Sequence, residues 1–165
     1  MAAASNSSNV LHQLVADLPV GELIPVPPGA EPLTPGCLLD LFGMQLTHVG
    51  RGAARAEMQV QPMHLNQRGN VQGGAIVALA DATAGWASYA ALPEGRFTTQ
   101  ELNCNLIGRA TEGHRLVATA TPAHLGRQTM VLDVTVRRAD REDSPPGKGL
   151  VARFSCTQLV LGAAT

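Results

Sequence analysis

The sequence predicts one α+β domain in which an antiparallel sheet wraps around a single long helix. Three observations carry this. Residues 74–92 are apolar on almost every side, with alanines set around Ile76, Val77, Leu79, Trp86 and Tyr89, and a helix of that kind is buried on most faces. The segments on either side alternate apolar and polar residues with the period of two of half-buried strands. The order is strand, strand, long helix and then a run of strands, without the regular helix–strand alternation of a parallel sheet.

Each element has its own local signals. Residues 1–8 are small and polar and are expected to be disordered. From Asn9, Val10, Leu11, Leu14, Val15 and Leu18 follow helical spacing, and Pro19 ends the pattern. Pro19, Pro25, Pro27, Pro28, Pro32 and Pro35 then predict an irregular, extended surface path. Residues 1–33 therefore read as an N-terminal extension and 34–165 as the domain proper. Thr34 is the expected N-cap, with Pro35 in the first helical position, of a short helix over Cys37–Phe42 that stops at Gly43. Met44 to Val49 reads as a strand, Gly50-Arg51-Gly52 as a turn and Ala53 to Val60 as a second strand, with Ala54, Ala56, Met58 and Val60 facing inward. After the long helix, strands are expected over 97–107, 115–124, 128–138 and 149–161. Glu112-Gly113, Leu125-Gly126 and the loop from Asp140 to Lys148 supply the turns.

Composition excludes several classes of function. A formal charge of −1 over 165 residues gives no electrostatic footprint for nucleic acid or an anionic membrane. One Trp, one Tyr and three Phe are too few for base-stacking platforms. The N-terminus has neither the basic start nor the apolar run of a secretory leader, and no segment reaches the ~20 apolar residues of a membrane span. A cytoplasmic location is expected. Cys37, Cys104 and Cys156 are odd in number and widely spaced, which predicts reduced thiols packed as small apolar groups and no metal site.

The chemistry concentrates in residues 64–81. The G-x-S-x-G, P-loop, G-x-G-x-x-G and H-E-x-x-H signatures are all absent. What remains is a Gly73-Gly74 helix start, whose uncovered N–H groups sit at the positive end of the helix dipole, and one acid, Asp81, on an otherwise apolar helix. Such N–H groups favour the oxyanion that forms when a carbonyl is attacked. An acid in apolar surroundings is a candidate for function, and the pair suggests acyl-group chemistry. Asp81 alone suits a structural acid equally well. Glu57, Glu112, Asp140 and Glu142 are expected to be solvated, while Asp133 and Glu101 lie inside strands. Gly73 and Asp81 stand eight residues apart on one helix, about 12 Å along its axis. One carbonyl carbon cannot touch both, so joint action requires a second subunit across a two-fold axis.

The pattern His64-x-Asn66-x-x-Gly69-x-x-Gln72-Gly73-Gly74, with Asp81 in Ala-Leu-Ala-Asp, resembles the hotdog-fold acyl-CoA thioesterases. The phenylacetate-pathway and 4-hydroxybenzoyl-CoA types are the nearest groups. Thr98 to Ile107 resembles the family's T-x-x-L-N-x-N strand, and His124 to Thr129 its H-x-G-R-x-T turn. The resemblance covers about residues 36–161. It implies a hotdog fold and hydrolysis of an acyl- or aroyl-CoA without metal or cofactor. It also implies a homodimer or homotetramer with sites at the interface between subunits. By position, Asp81 is the catalytic carboxylate, as nucleophile or as base for water. Gly73 supplies the oxyanion N–H, and Asn66 helps hold the carbonyl or the water. Gln72 stands where most members carry His; it can orient a carbonyl but cannot titrate. His64 is expected to be structural. Arg109, Arg127 and Gln128 are the candidates for contact with CoA, and Trp86, Tyr89 and the Thr98 region for the acyl pocket, with ordinary core packing as their other reading. A non-catalytic acyl-CoA sensor or scaffold is the alternative. A hotdog dehydratase is disfavoured because no D-x-N-x-x-H pattern occurs.

Overall fold

The computed structural model describes residues 9–30, 34–142, 144–145 and 147–161. The disorder expected for residues 1–8 lies outside them. In chain order the elements are α1 (Val10–Val15), β1 (Ile24–Pro25), α2 (Leu38–Leu41), β2 (Met44–Gly50), β3 (Ala53–Gln59), α3 (Gly73–Ala91), β4 (Phe97–Leu106), β5 (Arg115–Leu125), β6 (Thr129–Arg138) and β7 (Leu150–Val160). One antiparallel sheet runs β1-β2-β3-β5-β6-β7-β4 and wraps α3.

Alternation along the strands builds the core. Ala54, Ala56 and Met58 of β3, Leu116, Ala118 and Ala120 of β5, and Leu132, Val134 and Val136 of β6 point at α3, which offers Leu79, Ala80, Ala84 and Ala87 in return. Alanines on the helix let the sheet approach closely, and the larger strand residues fill the space between. β4 differs from its neighbours. It pairs with β7 along one edge only, and all of its residues except Phe97 and Leu102 are exposed. An open ten-residue edge strand is a surface that proteins normally cover.

Three local expectations are corrected. The helix after Thr34 starts at Leu38 with Cys37 as N-cap, because Gly36 adopts φ +78°, which turns 34–37 out of helical geometry. The proline-rich path contributes a short edge strand: Ile24 and Pro25 pair with Val49 and His48, at a sheet edge where proline's missing N–H is tolerated. Glu57 and Glu142 are partly enclosed and ion-paired with Arg115 and Arg55, respectively, instead of being simply solvated, whereas Asp140 is exposed as expected and also pairs with Arg138. The contact with Arg55, a hydrogen-bonded guanidinium, holds the Glu142 carboxyl below its ordinary range.

The N-terminal helix is tied to the end of the central one. Leu11 and Val15 are buried against the core. Asn9 caps α1 through its side-chain oxygen, which accepts from the His12 N–H at 3.1 Å. Its amide donates to the carbonyls of Tyr89 at 2.7 Å and Leu92 at 2.8 Å. The His12 ring lies 3.0 Å from the Ala90 carbonyl. The C-terminus of α3 ends without a glycine cap, and these side chains satisfy carbonyls that a helix end leaves orphaned.

Candidate active site

The loop 64–72 is built to present the start of α3. His64 is buried and has a structural role: its Nδ1 accepts from the Gln61 N–H at 3.1 Å, and its ring lies 5.1 Å from that of Phe42. Burial lowers its pKa, favouring the neutral ring that this acceptor role needs. Asn66 organises the loop, its side-chain oxygen accepting from the N–H groups of Arg68 at 2.9 Å and Asn70 at 3.3 Å. That leaves its amide NH2 as the group able to donate outward. The Gln72 N–H reaches back to the His64 carbonyl at 2.8 Å, which closes the loop.

Gln72 is the N-cap of α3, but its side chain is exposed and caps nothing. It shares an open recess with Leu65, Asn66, Gln67 and Arg68. The Gly73 and Gly74 N–H groups have no hydrogen-bond partner among the described residues; the helix begins donating at Ala75, to the Gln72 carbonyl. Glycine at 73 also has a packing reason, since a Cβ there would lie 2.8 Å from Leu106 Cδ1. At Gly74 a Cβ would meet nothing within 4 Å.

Asp81 is half-buried, less enclosed than its apolar sequence context suggests. Its Oδ1 accepts from the Thr99 hydroxyl at 2.9 Å. Thr99 borders a bulge in β4, where the register shifts between Thr99 and Glu101, and bulges re-aim side chains in this way. Asp81 and Thr99 stand on a cleft of about 430 Å³ whose walls include Leu38, Leu39, Gly85, Trp86, Tyr89 and Phe97. Behind them, burial first and then the carboxylates of Asp81 and Asp133 push the Cys156 thiol up to about 12, so that sulfur stays protonated. Cys104, expected to be packed, is exposed on β4.

The expected site residues fall into separate groups within one chain. Asn66, Gln72 and Gly73 cluster at the helix start, and Asp81, Thr99 and Trp86 cluster two turns further on. Arg109 lies in a basic recess with Arg138, Arg141 and Lys148. Arg127 and Gln128 are exposed in the β5–β6 turn, where the Gln128 carbonyl accepts from the Val160 N–H at 2.8 Å. Gly108 instead donates to the Val151 carbonyl, nine residues earlier on β7, so Arg109 and Gln128 are about 30 Å apart along that strand. Sequence reasoning reached the Thr98 region only as a candidate wall of the acyl pocket and missed the bond from Thr99 to Asp81, which follows from the place of Thr99 on β4 beside the Asp81 turn of α3.

Comparison with known proteins gives the arrangement its family. The thioesterase superfamily profile matches residues 68–144, which contain both Gly73 and Asp81. A "putative esterase" of Mycobacterium tuberculosis is 31% identical over 113 residues, 67% of this chain and 79% of its own. The solved structure of that name from M. tuberculosis superposes with a TM-score of 0.68 at 26% identity, covering 77% of this chain and 98% of the other. A mutant form of the phenylacetic acid degradation protein PaaI from Thermus thermophilus superposes with a TM-score of 0.65 at 27% identity, covering 74% of this chain and 97% of the other. No helix among the described residues is long and apolar enough to cross a membrane. By this shared sequence and the hotdog architecture of sheet around helix, the chain belongs to the thioesterase superfamily and is a thioester hydrolase.

Proposed function

We propose that the protein hydrolyses an acyl- or aroyl-CoA to the free acid and CoA in the cytoplasm, at sites each completed by two subunits. The observation that carries this reading is the pairing of two chemical half-sites at opposite ends of the same two elements. Leu106 of β4 packs at Gly73, while Thr99 of β4 bonds Asp81, so β4 runs antiparallel to the Gly73–Asp81 stretch of α3. A two-fold axis that sets the free β4 edge against its mate brings the Gly73 end of one subunit to the Asp81 end of the other. The same operation carries Arg109 of one chain toward the Arg127–Gln128 end of its partner. Two equivalent composite sites result.

In each, the thioester carbonyl oxygen faces the unpaired Gly73 N–H at the positive helix end, where the developing oxyanion is stabilised. Asn66 donates its amide to the carbonyl or the water, and Gln72 flanks them as a neutral donor and acceptor. The Asp81 carboxylate, oriented by Thr99, attacks the carbonyl carbon directly or deprotonates the water that does. Collapse of the tetrahedral adduct expels the CoA thiolate. On the direct route a water then cleaves the acyl–Asp81 anhydride to the free acid and restores the carboxylate. On the general-base route Asp81 passes the water's proton to the thiolate or to solvent. Arg109, Arg127 and Gln128 lie at the mouth for the CoA moiety, and Trp86 lines the acyl side. The scheme uses no metal and no cofactor, and a homodimer, alone or doubled into a tetramer, is its minimal unit.

The test is thiol release from a panel of short, long and aromatic acyl-CoAs, read alongside sedimentation. Turnover by a dimer or tetramer is the expected result. Tight acyl-CoA binding with no thiol release on any member would replace hydrolysis with a sensor or scaffold role. Turnover by a monomer would remove the composite site.

A further inference from the structure

Gly85 stands in the interior of α3, where glycine weakens a helix relative to alanine. Nothing in the backbone calls for it. Its φ is not positive, and a Cβ there would meet only the Phe97 ring, at 3.7 Å, an ordinary contact. What the missing side chain leaves is room. Gly85 lines the cleft of about 430 Å³ beside Asp81, between Ala78 and Ala82 on the helix and the ring of Phe97. Trp86, Tyr89 and Phe97 all line this cleft, in a chain with only one Trp, one Tyr and three Phe. Leu38 and Leu39 of α2 add to its apolar lining, and the carboxylate and hydroxyl of Asp81 and Thr99 are also part of it.

We infer that Gly85 sets the size limit of the acyl pocket, and that this pocket takes an apolar acyl group at least as large as an aryl ring. The inference rests on the hydrolase reading above, which puts the thioester carbon beside Asp81. From there the apolar cleft that Asp81 itself lines is open to the acyl group. A dry cavity of roughly 150 Å³ lined by aliphatic and aromatic side chains takes up benzene. This cleft, about 430 Å³, has room for a ring with its linker or for a chain of comparable bulk. Aromatic walls add edge and face contacts to such a group, and an acetyl group would leave most of them wet. Alanine at 85 would stabilise α3, and the glycine there keeps the pocket open at that expense.

The test compares wild type, Gly85→Ala and Gly85→Val on acetyl-CoA, benzoyl-CoA and octanoyl-CoA, with thermal melting alongside. In apolar pockets, one methyl-sized change commonly alters discrimination by roughly 10–200-fold. Gly85→Val is expected to lower kcat/KM for benzoyl- and octanoyl-CoA at least about tenfold relative to acetyl-CoA. Gly85→Ala is expected to shift the ratio the same way by less, with Tm at or above wild type, so a folding failure of the valine variant leaves the test standing. Equal loss on all three substrates, or an unchanged ratio in a folded variant, overturns the inference. If wild type releases no thiol from any acyl-CoA, the hydrolase reading fails separately. The pocket is then read by quenching of Trp86, the chain's only tryptophan. Octanoyl-CoA quenching in wild type that is weakened in Gly85→Ala supports the pocket, and identical titrations in the two overturn it.

Discussion

Replacing Asp81 with asparagine is the most direct test of the proposed chemistry, because the structure separates its catalytic consequence from its structural one. The side chain is half-buried and accepts one described hydrogen bond, from Thr99 Oγ1 at 2.9 Å. Asparagine keeps the shape and, through its carbonyl oxygen, the same acceptor. The structural loss is the difference between a charged and a neutral acceptor, about 1 kcal/mol. For a chain of this size that is a drop of about 2–4 °C in Tm. The chemical loss is much larger. An amide can neither deprotonate water nor add to a thioester, and removing a positioned base lowers the rate by about 10²–10⁴. The assay is kcat for thiol release, with melting and acyl-CoA binding measured on the same preparations. Asp133→Asn is the control, a carboxylate exposed on β6 and outside the cleft. Retention of more than about a tenth of wild-type kcat would refute the reasoning, since it lies well above the range for a lost base. Loss of activity only together with loss of fold would make Asp81 a structural acid.

Asp81→Asn and an Asn66 variant, each inactive alone, should recover activity when mixed and re-associated, because a mixed dimer holds one intact site; no recovery in confirmed heterodimers would sink the shared site. Asn9→Ala should cost about 2–3 kcal/mol, from a lost N-cap and two helix-end carbonyls left unpaired, and a urea midpoint shift at constant m-value reads it; a loss below about 0.5 kcal/mol would show that solvent replaces those bonds. His64 has a folded-state pKa below its unfolded value. Its stabilising contribution is therefore present above the unfolded pKa, near 6.5, and is lost as pH falls from there toward the folded value. Wild-type Tm should accordingly fall between pH 7.5 and 5.5 by more than that of His64→Gln, and equal falls would remove burial of the neutral ring as the cause.

The sheet and its central helix were legible because their signal is local. Strand alternation and an all-apolar helix each report burial residue by residue, and β3, α3 and β6 appear within a residue of their expected limits. The Gly73–Asp81 spacing was legible for the same reason, since helical rise alone separates the two groups. What could not be read depends on contacts between distant segments. Asn9 bonds to carbonyls 80 and 83 residues away. Thr99 meets Asp81 only because β4 returns along α3 with a bulge at that point. The Gly36 turn, which delays α2, lost to a Thr-Pro pair that is a sound helix start by composition but not by the backbone that follows it. The ion pairs of Glu57, Asp140 and Glu142 were hidden because each acid has turn or polar-face neighbours in sequence, and two of the three arginines come from other elements.

The exposed strand and the divided site have a common explanation in the proposed assembly. A ten-residue edge with little on either face to bury it would ordinarily invite indiscriminate pairing, and proteins usually blunt such edges with charge, proline or cover. Here β4 has one charged residue, Glu101, and no proline, while Leu106 and Ile107 at its end are more than half exposed. Cover by a second copy satisfies the backbone groups of that edge and removes these side chains from water. It also closes the distance of about 12 Å along α3 that keeps Gly73 and Asp81 apart in one chain. An independent monomeric enzyme would need neither an open β4 nor two half-sites at its two ends. Their coincidence on one edge is what ties the chemistry of the proposed site to the assembly of the fold.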